Sequence, residues 1–206
     1  MTLRALVAVL VLAASGTASA RTLCEARLDR LEISWQPGEA LPGVDDPVEV
    51  TGPLGGVTYV PMGRARPLVL DCSLVYSLAL AGRYLIDEGL TVAVYTDSYH
   101  QRFVRGTTRW SKHSFGLALD VHYFRDEGDT RRLSVEGDYQ KGLGRGRDCI
   151  GRPQSDGARS LRIVWCRLQR SELFKLVLDP DFDEDHRNHF HMQAMPWDER
   201  DDLAWR

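Results

Sequence analysis

Histidine is absent from the first 99 residues of this 206-residue chain. The six that follow are His100, His113 and His122, then His186, His189 and His191. Chemistry that needs imidazole is therefore confined to the second half. Long apolar runs are missing too. The ten-residue stretch Ala5–Ala14 would reach about 15 Å as a helix, half of a bilayer's roughly 30 Å hydrocarbon core. Arg4 precedes it and Ala18-Ser19-Ala20 follows as a small-x-small cleavage site. Residues 1–20 read as a secretory signal peptide rather than an anchor. Arg21-Thr22-Leu23 before Cys24 does not form a lipoprotein box. The expectation is an exported, soluble, monomeric protein, periplasmic or extracellular, with no membrane anchor after the signal is removed.

Clustered basic residues interleaved with aromatics are also lacking. The formal net charge is −3, and loss of Arg4 with the leader makes it −4. So mild an acidic balance gives no broad attraction to nucleic acid or anionic lipid. Internal repeats are absent, and the nine prolines are scattered without a Ser-Pro run, which excludes a repetitive structural wall protein. No two of the four cysteines have C-x-x-C spacing, so a cysteine metal site is disfavoured. In an exported chain the even count reads as two disulfides. Three pairings are formally possible; Cys24–Cys72 with Cys149–Cys166 is favoured. The second closes a short loop, worth up to about 3 kcal/mol in the chain-entropy model.

What the chain has is apolar content, 43%, enough for one domain with a real core. Residues 21–55 mix proline, glycine and acid without periodicity, apart from Leu28–Ile33, and read as an N-terminal arm tied by a disulfide. The main domain then spans 56–206. Val57–Val60 reads as a short strand. Asp71 reads as the N-cap of a helix over 72–88 that stops at Gly89. Leu90–Tyr95 is a β-branched run. From Gly116 to Val121 the pattern alternates, with Leu117, Leu119 and Val121 on one face and Ala118, Asp120 and His122 on the other. Residues 125–157 read as an irregular insertion, and 160–178 as helical spacing with a break near Ser171. Trp197 and Trp205 are expected to cover a sheet edge. Mixed elements without a βαβ repeat imply an α+β fold: a single domain with a mostly antiparallel sheet flanked by helices.

The stretch Asp185–His191 organises the rest. On an extended segment His189 and His191 leave the same face while Phe190 and Met192 point into apolar packing. In Ser111–Asp120 a histidine, a small-residue turn and an aspartate on an alternating strand bring a nitrogen and an oxygen ligand toward one point. A third ligand from the histidine strand completes a two-His, one-carboxylate set on the sheet. Zinc accepts such ligands, and an open fourth position is the mark of a catalytic site. His122 either shares the face of Asp120 or is a plain sheet-surface histidine, the preferred reading. Ser111 reads as a turn cap.

The pattern S-x-H-x-x-G-x-A-x-D over Ser111–Asp120, followed by H-x-x-H-x-H over His186–His191, resembles the zinc peptidase superfamily. That superfamily contains D-Ala-D-Ala carboxypeptidases, peptidoglycan endopeptidases, lysostaphin-type enzymes and the hedgehog signalling domain. Within it, the chain is similar to the bacterial extensin-like C-terminal domain family over roughly residues 55–193. The shared features are a cysteine before the first helix, the segment Ser98-Tyr99-His100-Gln101-Arg102, and the Leu-Asp-Pro run at 178–180.

The resemblance implies His113, Asp120 and His191 as Zn2+ ligands and His189 as general base. It implies His186 as a further active-site histidine, and Arg102 as the group that meets substrate carbonyl or carboxylate oxygens. Asn188 stands where some relatives carry glutamate, so the base falls to His189. Gln101 stands where many extensin-like members carry cysteine, so their disulfide pattern is not carried over. The implied function is a secreted zinc peptidase, of D,D-carboxypeptidase or endopeptidase type, hydrolysing amide bonds in peptidoglycan stem peptides. The alternative is a non-catalytic, zinc-stabilised cell-wall binding module.

Overall fold

A capping box formed by Thr22 and Glu25 starts α1 (Leu23–Arg30), satisfying two backbone donors that the first turn leaves free. Three short segments follow it: β1 (Trp35–Pro37), β2 (Pro47–Val50) and, after β3 (Thr58–Pro61), β4 (Leu68–Asp71). β1, β2 and β4 pair antiparallel into a small sheet. These facts come from a computed structural model that describes residues 22–143, 149 and 151–199. The expected leader and Trp205 lie outside the described residues.

Asp71 ends β4 and caps α2 (Cys72–Ile86), its side chain accepting from the Ser73 N–H. Gly89, with φ +72°, stands in the turn after the helix, as the sequence suggests. α2 is buried along most of its length, and Cys24–Cys72 ties α1 to its first turn.

The larger sheet holds the rest. Its strands are β3, β5 (Val92–Tyr95), β6 (Ala118–Arg125), β7 (Arg132–Ser134), β8 (Phe174–Leu178) and β9 (Phe190–Ala194). β3 and β5 run parallel; β5–β6, β6–β7, β6–β9 and β8–β9 run antiparallel. β6 is the long central strand. β5 takes one edge, while β9 and β7 share the other end to end, on Ala118–Val121 and Tyr123–Arg125 respectively. Among the described residues, α3 (Val135–Asp138) and α4 (Asp156–Arg170) complete the helices. Leu119, Val121, Phe190 and Met192 are at most 2% exposed and share one core with residues of α2 and α4. The fold is α+β and a single domain, with two sheets rather than one.

Three segments differ from the reading of the sequence. Residues 22–55 carry α1, β1 and β2, because three- and four-residue strands are too short for periodicity to reveal. Residues 125–157 are not wholly irregular: β7 and α3 lie within them, anchored by Leu133 and Val135, both buried. The helical reading of 160–178 fails in its second half. α4 stops at Ser171, Glu172 takes φ +59°, and Phe174–Leu178 is β8. A short apolar run fits helix or strand equally, and pairing with β9 decides for strand. Both favoured disulfides are present, Cys149–Cys166 holding residue 149 against α4. Trp197 packs edge-on against Tyr76 of α2. No described helix is long and apolar enough to cross a membrane.

One glycine locks the small sheet to the site strand. Gly116 has φ +64°, and its carbonyl accepts the Asp71 N–H at 3.1 Å. A Cβ there would lie 2.8 Å from the Asp71 backbone nitrogen. Gly116→Ala is therefore expected to cost about 1–3 kcal/mol from left-handed strain alone, before the contact with backbone is added. A urea titration checks this; an unchanged midpoint would refute the packing described.

Candidate metal centre

The register of β6 against β9 builds the site. Asp120 stands directly opposite His191, with Leu119 opposite Met192 and Val121 opposite Phe190. Directly opposed residues project to the same face with Cβ atoms about 4.5–5.5 Å apart. The Leu119–Val121–Phe190–Met192 side enters the core, so Asp120 and His191 share the other side. His191 Nδ1 lies 2.8 Å from Asp120 Oδ1.

His113 arrives from a 3-10 turn, Lys112–Phe115, immediately before β6. Ser111 caps that turn, as expected, its Oγ accepting the His113 N–H. Left-handed Gly116 ends it. Ser114 Oγ accepts the Arg102 N–H at 2.9 Å and stands 3.0 Å from the carbonyls of both His100 and Arg102. The turn is thereby stitched to the segment that carries Arg102. Its result is that fully buried His113 sets Nε2 3.2 Å from Asp120 Oδ1 and 3.3 Å from His191 Nδ1.

Two imidazole nitrogens and one carboxylate oxygen thus converge. Ligand atoms about 2.0–2.1 Å from a tetrahedral zinc ion stand about 3.3 Å from one another. Two of the three separations have that spacing and the third is hydrogen-bond length. The donor set also suits a cation better than protons. If both nitrogens carried hydrogens aimed at one oxygen, the two N–H groups would face each other. If neither did, the lone pairs would, and if only one did, its proton would serve the oxygen while the other nitrogen's lone pair faced that oxygen's. His113, Asp120 and His191 therefore fit a divalent ion.

The electrostatics agree. Burial alone would push the Asp120 carboxyl up, but hydrogen bonds and charge from His113 and His191 hold it well below the usual carboxylate range. Burial lowers His191, against the opposing pull of Asp120. His189 is lowered to about 4, burial again being the largest cause. The site presents an ionised carboxylate amid imidazoles that resist protonation.

The remaining candidates stand around this core. His189 is buried, its Nε2 3.5 Å from Asp120 Oδ1 and its Nδ1 2.9 Å from Asn188 Oδ1. His186 follows Asp183, which caps its short 3-10 turn and bonds its Nδ1 at 2.5 Å. Its ring centroid is 5.3 Å from that of His189 and 5.6 Å from that of His191. Arg102 reaches Asp97 Oδ2 at 3.1 Å and lies 4.0 Å from Asp120 Oδ2. All six candidate residues are brought together. His100 stands on the rim, exposed, 3.7 Å from Asp97.

His122 corrects the preferred reading of it as a plain surface residue. It shares the face of Asp120, bonds Thr96 through Nε2 at 2.9 Å, and holds its ring 5.2 Å from that of His189. The alternation of β6 was the signal that could have placed it. Asp97 and Asp183 were missed, because only the folded chain shows which side chains they orient. The group Cys24, Asp46 and Cys72, which also has metal-ligand spacing, is spent as a disulfide.

The family described as "Extensin-like protein C-terminus" matches residues 24–201. Comparison with curated proteins and with solved structures gave no match.

The depressed His189 makes a signed prediction for chelator-treated protein. Its folded value, about 4, lies below the ordinary 6.5. Between those values the unfolded chain binds the extra proton, so stability falls as pH drops from about 6.5 to about 4. Relative to His189→Asn, the wild type should lose about 1–3 kcal/mol across that window, read by denaturation at stepped pH. Parallel curves for the two proteins would contradict the assignment.

Proposed function

The chain belongs to the extensin-like protein C-terminus family, and from that premise we propose that it is an exported zinc-dependent peptidase. It acts as a monomer on amide bonds of peptidoglycan stem peptides, as a D,D-carboxypeptidase or endopeptidase. The proposal includes a place for the chain within the zinc peptidase superfamily and export through the leader read at residues 1–20. One observation carries it: a buried His113, Asp120 and His191 meet with the spacing of a three-ligand zinc site. Three protein ligands is the count of a catalytic rather than a structural centre.

Held by those three side chains, zinc supplies Lewis acidity, polarising a carbonyl oxygen and lowering the pKa of water to about 7. The chain's own residues do the rest. His189 takes a proton at Nε2 and returns it to the leaving amine. Asn188 Oδ1, 2.9 Å from Nδ1, fixes the tautomer that leaves Nε2 free. Burial lowers His189 and leaves that nitrogen free to accept a proton at neutral pH. Arg102, held by Asp97 and half in solvent, presents its remaining N–H groups to a substrate carbonyl or terminal carboxylate. One such donor to a developing oxyanion is worth about 3 kcal/mol. His186, oriented by Asp183, lines the same face.

The decisive experiment separates metal from catalysis. Purified protein should carry about one zinc per chain, and His191→Ala should lose most of it. His189→Ala should keep the zinc while hydrolysis of defined muropeptides falls roughly 10²–10⁴-fold. Full zinc retention in His191→Ala would sink the ligand assignment. A zinc-loaded wild type that cleaves no muropeptide would replace the enzyme with a zinc-stabilised wall-binding module.

A further inference from the structure

Two imidazoles beside the centre are prepared as ligands yet belong to no three-residue set used so far. His186 Nδ1 lies 2.5 Å from Asp183 Oδ1. An ionised carboxylate only accepts, so the ring proton sits on Nδ1 and Nε2 keeps its lone pair. His189 repeats the device, its Nδ1 facing Asn188 Oδ1 at 2.9 Å. Oxygen partners that pin one ring nitrogen and free the other are the usual setting of metal-bound histidine. One nitrogen each from His186, His189 and His191 lie within 4.8 Å of one another. These three residues overlap the first set only at His191.

We infer that the chain has a second divalent-cation position, held by Nε2 of His186 and Nε2 of His189 beside His191, with water completing its shell, and filled when zinc is in excess. The inference rests on the reading of His113, Asp120 and His191 as the first position. The second must be weaker for two reasons. Its ligands are neutral imidazoles with no carboxylate among them, and a cation already at the first position repels another close by. Its occupation has a chemical consequence: the lone pair of His189 is committed, so the proton acceptor is lost. Excess zinc then inhibits the enzyme without displacing the first ion. Carboxylate support for His186 comes only through Asp183, which makes Asp183 a positioning residue for this second ion.

Equilibrium dialysis of the purified chain against Zn2+, with metal analysis, reads the sites directly, and Co2+ absorption gives an independent signal for each. The wild type should take up a tight equivalent and then a weaker one. His186→Gln should lose the weaker equivalent and keep the tight one. Asp183→Asn should weaken the second by roughly 10–100-fold, and His113→Ala should instead remove the tight one. Uptake that stops at one equivalent under excess zinc overturns the inference while leaving the first site intact. So does a second equivalent that persists undiminished in His186→Gln. A tight equivalent indifferent to His113→Ala would take down the first reading and this one with it.

Discussion

The pairing of Asp120 with His191 across β6 and β9 is the constraint on which the site depends. Strand side chains alternate, so a slip of one residue would send Asp120 toward the core and bring Leu119 or Val121 to the site face. The apolar halves of both strands forbid that slip. Leu119, Val121 and Phe190 are fully buried and Met192 is nearly so, and burying such side chains is worth about 1.5–3 kcal/mol each. Core packing and site geometry are thus one specification written on opposite faces of the same two strands.

That arrangement is costly without a cation. A carboxylate and three imidazoles withdrawn from water need partners for every polar atom, and a half-satisfied network is worse than an apolar one. Burial lowers His189 and His191, so further protons do not enter readily to balance Asp120. A divalent ion answers all the convergent lone pairs at once, which is why ion binding and folding are expected to be linked. The fold therefore holds a convergent cluster of buried polar groups at the expense of its own stability.

Much of this was legible before the fold was known. Asp71 and Gly89 marked both ends of α2, and the alternation around Asp120 and His191 put each on the polar side of a strand. Of the three cysteine pairings the sequence left open, the favoured one is present. The residues that escaped did so because their roles are long-range. Asp97 is ordinary until the chain after β5 folds back on β6, exchanging hydrogen bonds between Thr96, Asp97 and Asp120. His122 is ordinary until β9 brings His189 beside it. β8 was hidden because its five residues suit a helix as well as a strand, and only pairing with β9 settles them. A chain without histidine before residue 100 sets five of its six imidazoles in one web of ring contacts. Sequence shows the numbers, but not that they meet.

The connection from β8 to β9 shows how the last of these imidazoles are held. Residues 179–185 place an aspartate at every second position, which in isolation reads as a solvated acidic run. Each carboxylate instead engages a different segment. Asp179 takes the Tyr139 hydroxyl, Asp181 the Gly142 N–H, Asp183 the His186 ring and Asp185 the Arg105 guanidinium. They are not equal. The Arg105–Asp185 pair is largely exposed, and such pairs contribute about 0–1 kcal/mol. Asp179 is buried; burial raises its carboxyl while the Tyr139 hydroxyl pulls it back, so loss of that partner would strand a desolvated group. The buried anchor lies at the β8 end and the exposed ones approach the histidines. The loop is thereby anchored by a buried carboxylate where it leaves the core and by more exposed pairs where it approaches His186 and His189.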